Sequence, residues 1–322
     1  MDVLIVTPTR PSSRSGNDTT SRRWAKILRS LGHSVRVASS YNGASADLMI
    51  ALHAWRSAHS IAAFRAVYPD RPLIVALSGT DIYSYIRRDP EPVLRSLDLA
   101  DRLLTLQDLA QKRVPQQHRW KVRTVYQSAP ALGGRRSERA HHLDIAVIGH
   151  LRHVKDPFRA AKAARRLPRN STIRIVHVGA AETTHWAALA RAEMRRNPRY
   201  LWRGDRPHAE VRALLERARA VVLSSLSEGG ANVVSEAAAA GVPVLASRID
   251  GTVGLLGRDY PGYFPVGQTA ALTRLLWRLE TDPEFFRRLC RDIRRRAYRF
   301  RPAREKESWR RLLGEVLERQ PR

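Results

Sequence analysis

The fold class that the sequence predicts is α/β, as two doubly wound Rossmann-like domains facing a central cleft. Three observations carry it. Short β-like runs alternate with helical ones from Asp2 to Val125. The alternation lapses between Ser128 and His142 (SAPALGGRRSERAHH) into proline, glycine and charge, then restarts at Leu143. Strands alternating with helices argue for parallel sheets covered on both faces. A lapse of this composition reads as a linker. The predicted division is an N-terminal domain at 1–134, a C-terminal domain at 135–300 and a terminal helix at 301–322 that packs back over the junction.

Each element follows from its local pattern. Asp2–Thr7 (DVLIVT) is a buried-strand run, followed by a Pro/Ser/Gly loop from Pro8 to Gly16. Thr19–Leu31 carries a helical apolar period through Trp24, Ile27, Leu28 and Leu31, and Gly32 stops it. Strands follow at Ser34–Ala38, Leu48–Leu52, Leu73–Leu77, Arg102–Leu106 and Arg123–Val125. In the second half Leu143–Ile148, Ile173–Val178, Tyr200–Arg203, Ala220–Ser224 and Val244–Ala246 read as strands. Pro157–Leu167 and Ala209–Arg217 read as helices. From Asp282 to Arg322 the pattern is helical, interrupted at Pro302. Doubly wound sheets place ligands at the carboxyl ends of their strands, so the loops after the strands are where chemistry is expected.

Composition narrows the class. At 322 residues, 43 % of them apolar, the chain is long enough for two proper cores. Cys290 is the single cysteine, so no disulfide framework or cysteine metal site is expected. The start, MDVLIVTP, lacks a basic n-region, and no apolar stretch approaches the roughly 20 residues of a membrane span. A cytoplasmic protein is expected. The formal charge of +27 invites a nucleic-acid reading, yet all but six of the 57 cations are arginine and no aromatic-interleaved motif accompanies them. Arginine-rich, solvated helix faces such as RRLCRDIRRRAYRFRP account for the excess without a specific nucleic-acid site.

The segment SEGGANVVSEAAAAGVPVLAS (Ser227–Ser247) carries the chemistry. Gly229-Gly230 reads as a tight turn and Asn232 as an N-cap, with a short helix over Val233–Ala240 that Gly241 and Pro243 end. Amides at such a helix start, at the positive end of its dipole, bind phosphate well. Glu228 and Glu236 flank them. An acid near a helix start stabilises the dipole by up to about 1 kcal/mol, the bland reading of Glu236. Carboxylates beside a phosphate cradle also suit sugar hydroxyls.

The E-x7-E spacing, with GG after the first glutamate and EAAAAGVPVLAS at the second, resembles the donor site of retaining family 4 glycosyltransferases of the GT-B fold. The resemblance implies that Glu236 holds the ribose of a nucleotide sugar and that Glu228 contacts the transferred sugar. It assigns the pyrophosphate to Gly229, Gly230, Ala231, Asn232 and Val233. The family pattern G-R-L-x-x-x-K appears as GHLRHVK, so Gly149 and Lys155 match while His150 stands in the arginine's place. Arg152 is the candidate replacement cation. With Lys155 it would neutralise the leaving UDP; paired surface cations are the plain alternative. No Asp-x-Asp motif is placed for a divalent cation, so neither metal nor cofactor is expected.

Three N-terminal stretches, TPTRPSSRSGNDTTSRRWAKIL, ALHAWRSAHS and ALSGTDIY, together with GHLRHVKDP, SEGGANVVSEA and RIDGTVGLLG, resemble the selenosugar synthases of selenoneine biosynthesis. That resemblance implies selenophosphate and a UDP-sugar, UDP-N-acetylglucosamine first, as partners. It also implies functional coupling to a selenophosphate supply and to later selenoneine-forming enzymes. A small polyanion needs cations and hydrogen-bond donors. Arg10, Arg14, Ser15, Gly16 and Asn17 on the first strand-to-helix loop, with Arg56, Ser78, Gly79 and Thr80 at later strand ends, are the acceptor candidates. His53 is a base candidate for a hydroxyl acceptor, a hydrogen-bond donor, or a structural histidine. Asp81 orients a neighbour or caps the following helix. The alternatives are a family 4 enzyme acting on a hydroxyl, and a nucleic-acid or anionic-surface binder on the same scaffold.

Overall fold

The structure, a computed structural model, describes residues 1–8, 16–131 and 142–318. The chain divides into two compact units. One comprises Met1–Gln127, Glu228–Asn232 and Pro302–Arg322; the other comprises Ser128–Ser227 and Val233–Arg301. Loop 228–232, which the sequence assigns to the C-terminal domain, therefore belongs with the first unit.

The first unit is a six-stranded parallel sheet of β1 (Asp2–Val6), β2 (Ser34–Ala38), β3 (Leu48–Leu52), β4 (Leu73–Leu77), β5 (Arg102–Thr105) and β6 (Val122–Thr124), in the order β2-β1-β3-β4-β5-β6. β3 (LMIAL) and β4 (LIVAL) are buried at every position because both faces are covered, which is why they read as unbroken apolar runs. The two-residue period divides the core. Val3, Ile5 and Ile50 pack with Trp24, Leu28 and Trp309, while Leu4, Val6 and Met49 pack with Ile61, Phe64 and Leu97. Trp24 and Trp309 meet edge to face at 5.0 Å, joining helix Pro302–Leu317 to helix Gly16–Arg29. The first helix starts at Gly16, so Gly16 and Asn17 form its opening turn and do not lie on the preceding loop. β2 lies outside β1 while the chain returns to β3 on the other side. The topological switch point is thus at the carboxyl ends of β1 and β3.

The second unit repeats the plan with β7 (Leu143–Ile148), β8 (Ile173–Val178), β9 (Tyr200–Trp202), β10 (Ala220–Leu223), β11 (Val244–Ser247) and β12 (Tyr263–Phe264), ordered β12-β11-β10-β7-β8-β9. Its switch point falls between β7 and β10. The loops that follow those strands are the two that carry the Gly149–Lys155 and Glu228–Glu236 motifs. β12 has only two residues, too few for any periodicity to show. The helix expected at 157–167 is shorter, Arg159–Ala164. Helix Pro283–Ala297 runs into a 3-10 turn and ends before Pro302, where the last helix begins. Of the expected linker, residues 132–141 lie outside those described. No helix among the described residues is long and apolar enough to cross a membrane.

Candidate active site

At the second unit's switch point the two loops are tied together. The Ser224 hydroxyl lies within hydrogen-bonding reach of the carbonyls of Lys155 (3.1 Å) and Asp156 (2.9 Å), and the Leu226 amide donates to the Val154 carbonyl. Helix Asn232–Ala239 buries Val233, Val234, Ser235, Ala237 and Ala238, so the small side chains bring its axis close to the sheet. It ends at Gly241 (φ 64°), with the Gly241 and Val242 amides returning to the carbonyls of Ala238 and Ala237. Glu236, on the helix's less buried side, lies 3.7 Å from His208 Nε2. That contact raises the His208 pKa. His208 starts a separate helix, and nothing in its local pattern reveals the pairing.

The Gly-Gly pair has a different cause from the expected one. Neither Gly229 nor Gly230 has a positive φ. Both are required by close approach. A Cβ on Gly229 would collide with the Ser78 carbonyl and stand 2.7 Å from the Gly79 amide nitrogen; one on Gly230 would stand 2.9 Å from Leu106 Cδ1. Asn232 is likewise the first helical residue, and its amide oxygen accepts from Arg23 Nη1 at 3.1 Å.

The Ser78–Gly79 turn against which this loop rests is built by Asp81. Fully buried, its carboxylate accepts from the amides of Ala54 (3.1 Å), Ser78 (3.0 Å), Gly79 (2.8 Å) and Ile82 (3.0 Å). Asp81 both orients its neighbours and opens the π-helical turn Asp81–Tyr85, an irregularity frequent at functional sites. The Ser78 and Gly79 amides are committed to it.

His53, at the end of β3, is buried and has φ 73°, a left-handed conformation that costs a non-glycine residue on the order of 1–3 kcal/mol. The Arg56 amide has only a hydrogen to give, so Nδ1 accepts it (3.2 Å). The neutral ring therefore carries its proton on Nε2, which donates to Thr80 Oγ1 at 2.9 Å. Burial lowers the His53 pKa, against the opposing pull of Asp81, whose Oδ2 is 4.0 Å from Nδ1. Arg56 is exposed beside it, and Trp55 stacks on Tyr85 at 4.1 Å. Arg10, Arg14 and Ser15 lie outside the described residues.

The Gly149 loop is held from behind. His177 is fully buried between Tyr200, whose hydroxyl is 2.9 Å from Nδ1, and the Gly149 carbonyl, 3.0 Å from Nε2. Gly179 (φ 152°) lies so close that a Cβ there would collide with the Gly149 carbonyl and stand 2.9 Å from the His150 nitrogen. His150 Nδ1 accepts from the Ala180 amide at 3.1 Å, which uses the ring as a loop staple in place of a cation. Arg152 Nε is buried without a hydrogen-bond partner, and Lys155 ends the 3-10 turn His153–Lys155. An unpartnered buried donor costs about 1–3 kcal/mol and calls for an explanation. Among the described residues, no cluster of three or more His, Cys, Asp or Glu side chains is placed to hold a metal ion.

Residues 137–300, just over half of the chain, match the family described as glycosyl transferases group 1. The chain belongs to that family. The transferase matches no curated protein in sequence. Its fold is GT-B, as solved structures of low identity show. HepE from Anabaena in complex with UDP and glucose has 15 % identity and a TM-score of 0.80, covering 98 % of this chain and 100 % of that chain. Sucrose-phosphate synthase from Thermosynechococcus elongatus has 14 % identity and a TM-score of 0.78, covering 98 % and 99 %. A glycosyltransferase from Rickettsia africae has 11 % identity and a TM-score of 0.76, covering 99 % of each.

Two residues behind the transferase's Gly149 loop, His177 and Gly179, belong to no sequence motif. Their signal is faint: a histidine inside an apolar strand, IRIVHVG, with a glycine at its end. Burial lowers the His177 pKa from 6.5 to about 4. Between those values the unfolded chain binds a proton that the native ring refuses. This contribution to stability is full above about pH 6.5 and is lost as pH falls toward 4, about 3 kcal/mol in all. Denaturant unfolding at pH 7.5 and 4.5 should show wild type losing more stability than His177→Gln, which keeps a donor and an acceptor without titrating. Equal losses would remove His177 from the account.

Proposed function

We propose that the chain is a selenosugar synthase. Selenophosphate attacks the anomeric carbon of a UDP-sugar, UDP-N-acetylglucosamine first among them. The C–Se bond forms as the C1–O bond breaks, and UDP leaves with the electron pair. Water then cleaves the Se–P bond, releasing phosphate and a 1-selenosugar. A UDP-sugar donor is supported by the family match and by solved structures of HepE in complex with UDP and with UDP-glucose.

In this reading Glu236 accepts hydrogen bonds from the ribose hydroxyls and Glu228 contacts the transferred sugar. The 229–233 backbone binds the pyrophosphate without a metal. Arg152 and Lys155 neutralise charge on the departing diphosphate, most strongly in the transition state. Thr80, with Nε2–H of His53 behind it, donates to the acceptor, and Arg56 attracts its charge.

One observation carries the choice of acceptor: neither His53 nor Asp81 has a free basic atom. Both ring nitrogens of His53 are engaged, its pKa is lowered, and four amides occupy the Asp81 carboxylate. A sugar hydroxyl ordinarily needs a general base, whereas selenophosphate is already anionic at neutral pH. Phosphorus NMR of the reaction tests this. UDP and inorganic phosphate should appear in equal amounts, and only with selenophosphate present. UDP release with a hydroxyl acceptor but none with selenophosphate would assign the chain to ordinary sugar transfer.

A further inference from the structure

We propose that Arg23, on helix Gly16–Arg29, and Gln127, on the segment after β6, are positioning residues that set the geometry of the 228–232 loop from within the first unit; this rests on the donor reading of that loop. Gln127 is 2 % exposed. Oriented so that each amide atom meets a complementary partner, its nitrogen donates to the Gly230 carbonyl (2.9 Å) and to Asn232 Oδ1 (3.0 Å). Its oxygen accepts from Arg23 Nη2 (3.1 Å) and faces the Thr20 hydroxyl (2.6 Å). Thr20 also lies 2.7 Å from the Gly16 carbonyl and gives its single proton to one of the two.

Arg23 completes the clasp. Nη1 donates to Asn232 Oδ1 at 3.1 Å, and Nε reaches both Glu305 oxygens, at 3.2 and 3.0 Å. The Glu305 side chain is wholly buried and also accepts from Trp24 Nε1 at 2.9 Å. A buried carboxylate with this many donors fixes the guanidinium plane, and the planar fork passes that orientation to Asn232 and Gln127. With Ser78–Gly79 and Leu106 against the glycines, these bonds leave the loop's backbone little freedom. The frame also joins the loop to helix Gly16–Arg29, whose first turn holds the acceptor candidates Gly16 and Asn17. No substrate contact is needed for either residue to act.

Two variants test it. Gln127→Glu turns an oxygen toward the Gly230 carbonyl and Asn232 Oδ1. Arg23→Lys keeps the charge beside Glu305 but loses the fork. UDP affinity by calorimetry and donor KM and kcat are measured with the melting temperature for wild type and both variants. Each variant is expected to weaken UDP binding and raise donor KM by about tenfold or more. UDP affinity and donor KM within twofold of wild type in both variants, with or without a lower melting temperature, would overturn the proposal and leave the network a structural one. Wild-type protein that binds no UDP would instead overturn the donor reading, and the positioning role with it.

Discussion

Replacing Gly229 by alanine is expected to lower kcat/KM for the UDP-sugar by about 100-fold or more. The added methyl would collide with the Ser78 carbonyl and lie 2.7 Å from the Gly79 nitrogen. Both are backbone atoms, so no rotamer change relieves the clash. The turn cannot retreat easily, because the Ser78 and Gly79 amides are held at 3.0 and 2.8 Å by Asp81. Overpacking of this kind costs about 1–3 kcal/mol where the structure absorbs it. If the loop lifts from its seat instead, Glu228 and the backbone proposed to bind the pyrophosphate move together. Displacement by about 1 Å is enough for a 100-fold loss. Steady-state kinetics and a thermal melt separate the outcomes. Activity within threefold of wild type would mean that the loop's seat on the 78–79 turn has no bearing on catalysis.

The second large effect falls on Glu236. Glu236→Ala should weaken UDP binding by about 10- to 150-fold, the range for losing hydrogen bonds to a charged group. A double-mutant comparison makes the test specific to ribose. UDP lacking the 2′-hydroxyl should already bind weakly to wild type and lose little more on Glu236→Ala. If the two losses simply add, Glu236 acts on the helix dipole and not on the ribose. His208, 3.7 Å from Glu236 Oε1, should show a pKa lowered toward 6.5 in the variant, since the carboxylate is the leading cause of its rise.

Much of the architecture is legible in the sequence because buried parallel strands leave unbroken apolar runs. LMIAL and LIVAL announce themselves, and the E-x7-E segment identifies its family from local residues alone. What escaped is what depends on contacts distant in sequence. The glycines of the 228–232 loop are explicable locally as a tight turn, yet they answer to Ser78, Gly79 and Leu106, which lie more than a hundred positions away. Asp81 reads as a helix cap, but its carboxylate also holds the Ala54 amide at the end of another strand. His150 stands in the arginine's place in the motif, while the fold employs its ring to accept from the Ala180 amide. The strain at His53 is invisible in ALHAWRS, since a positive φ at a non-glycine residue leaves no compositional trace. Gln127 and Arg23 look like ordinary polar residues until the chain folds them onto the 228–232 loop.

The most direct test of the whole account is the product itself. Purified protein is incubated with selenophosphate and a panel of UDP-sugars, and the product is characterised by mass spectrometry and NMR. The expected product is a sugar bearing selenium bonded to its anomeric carbon, formed at best rate from UDP-N-acetylglucosamine. Recovery of unreacted selenophosphate alongside a sugar transferred to oxygen, or no consumption of any UDP-sugar, would contradict it.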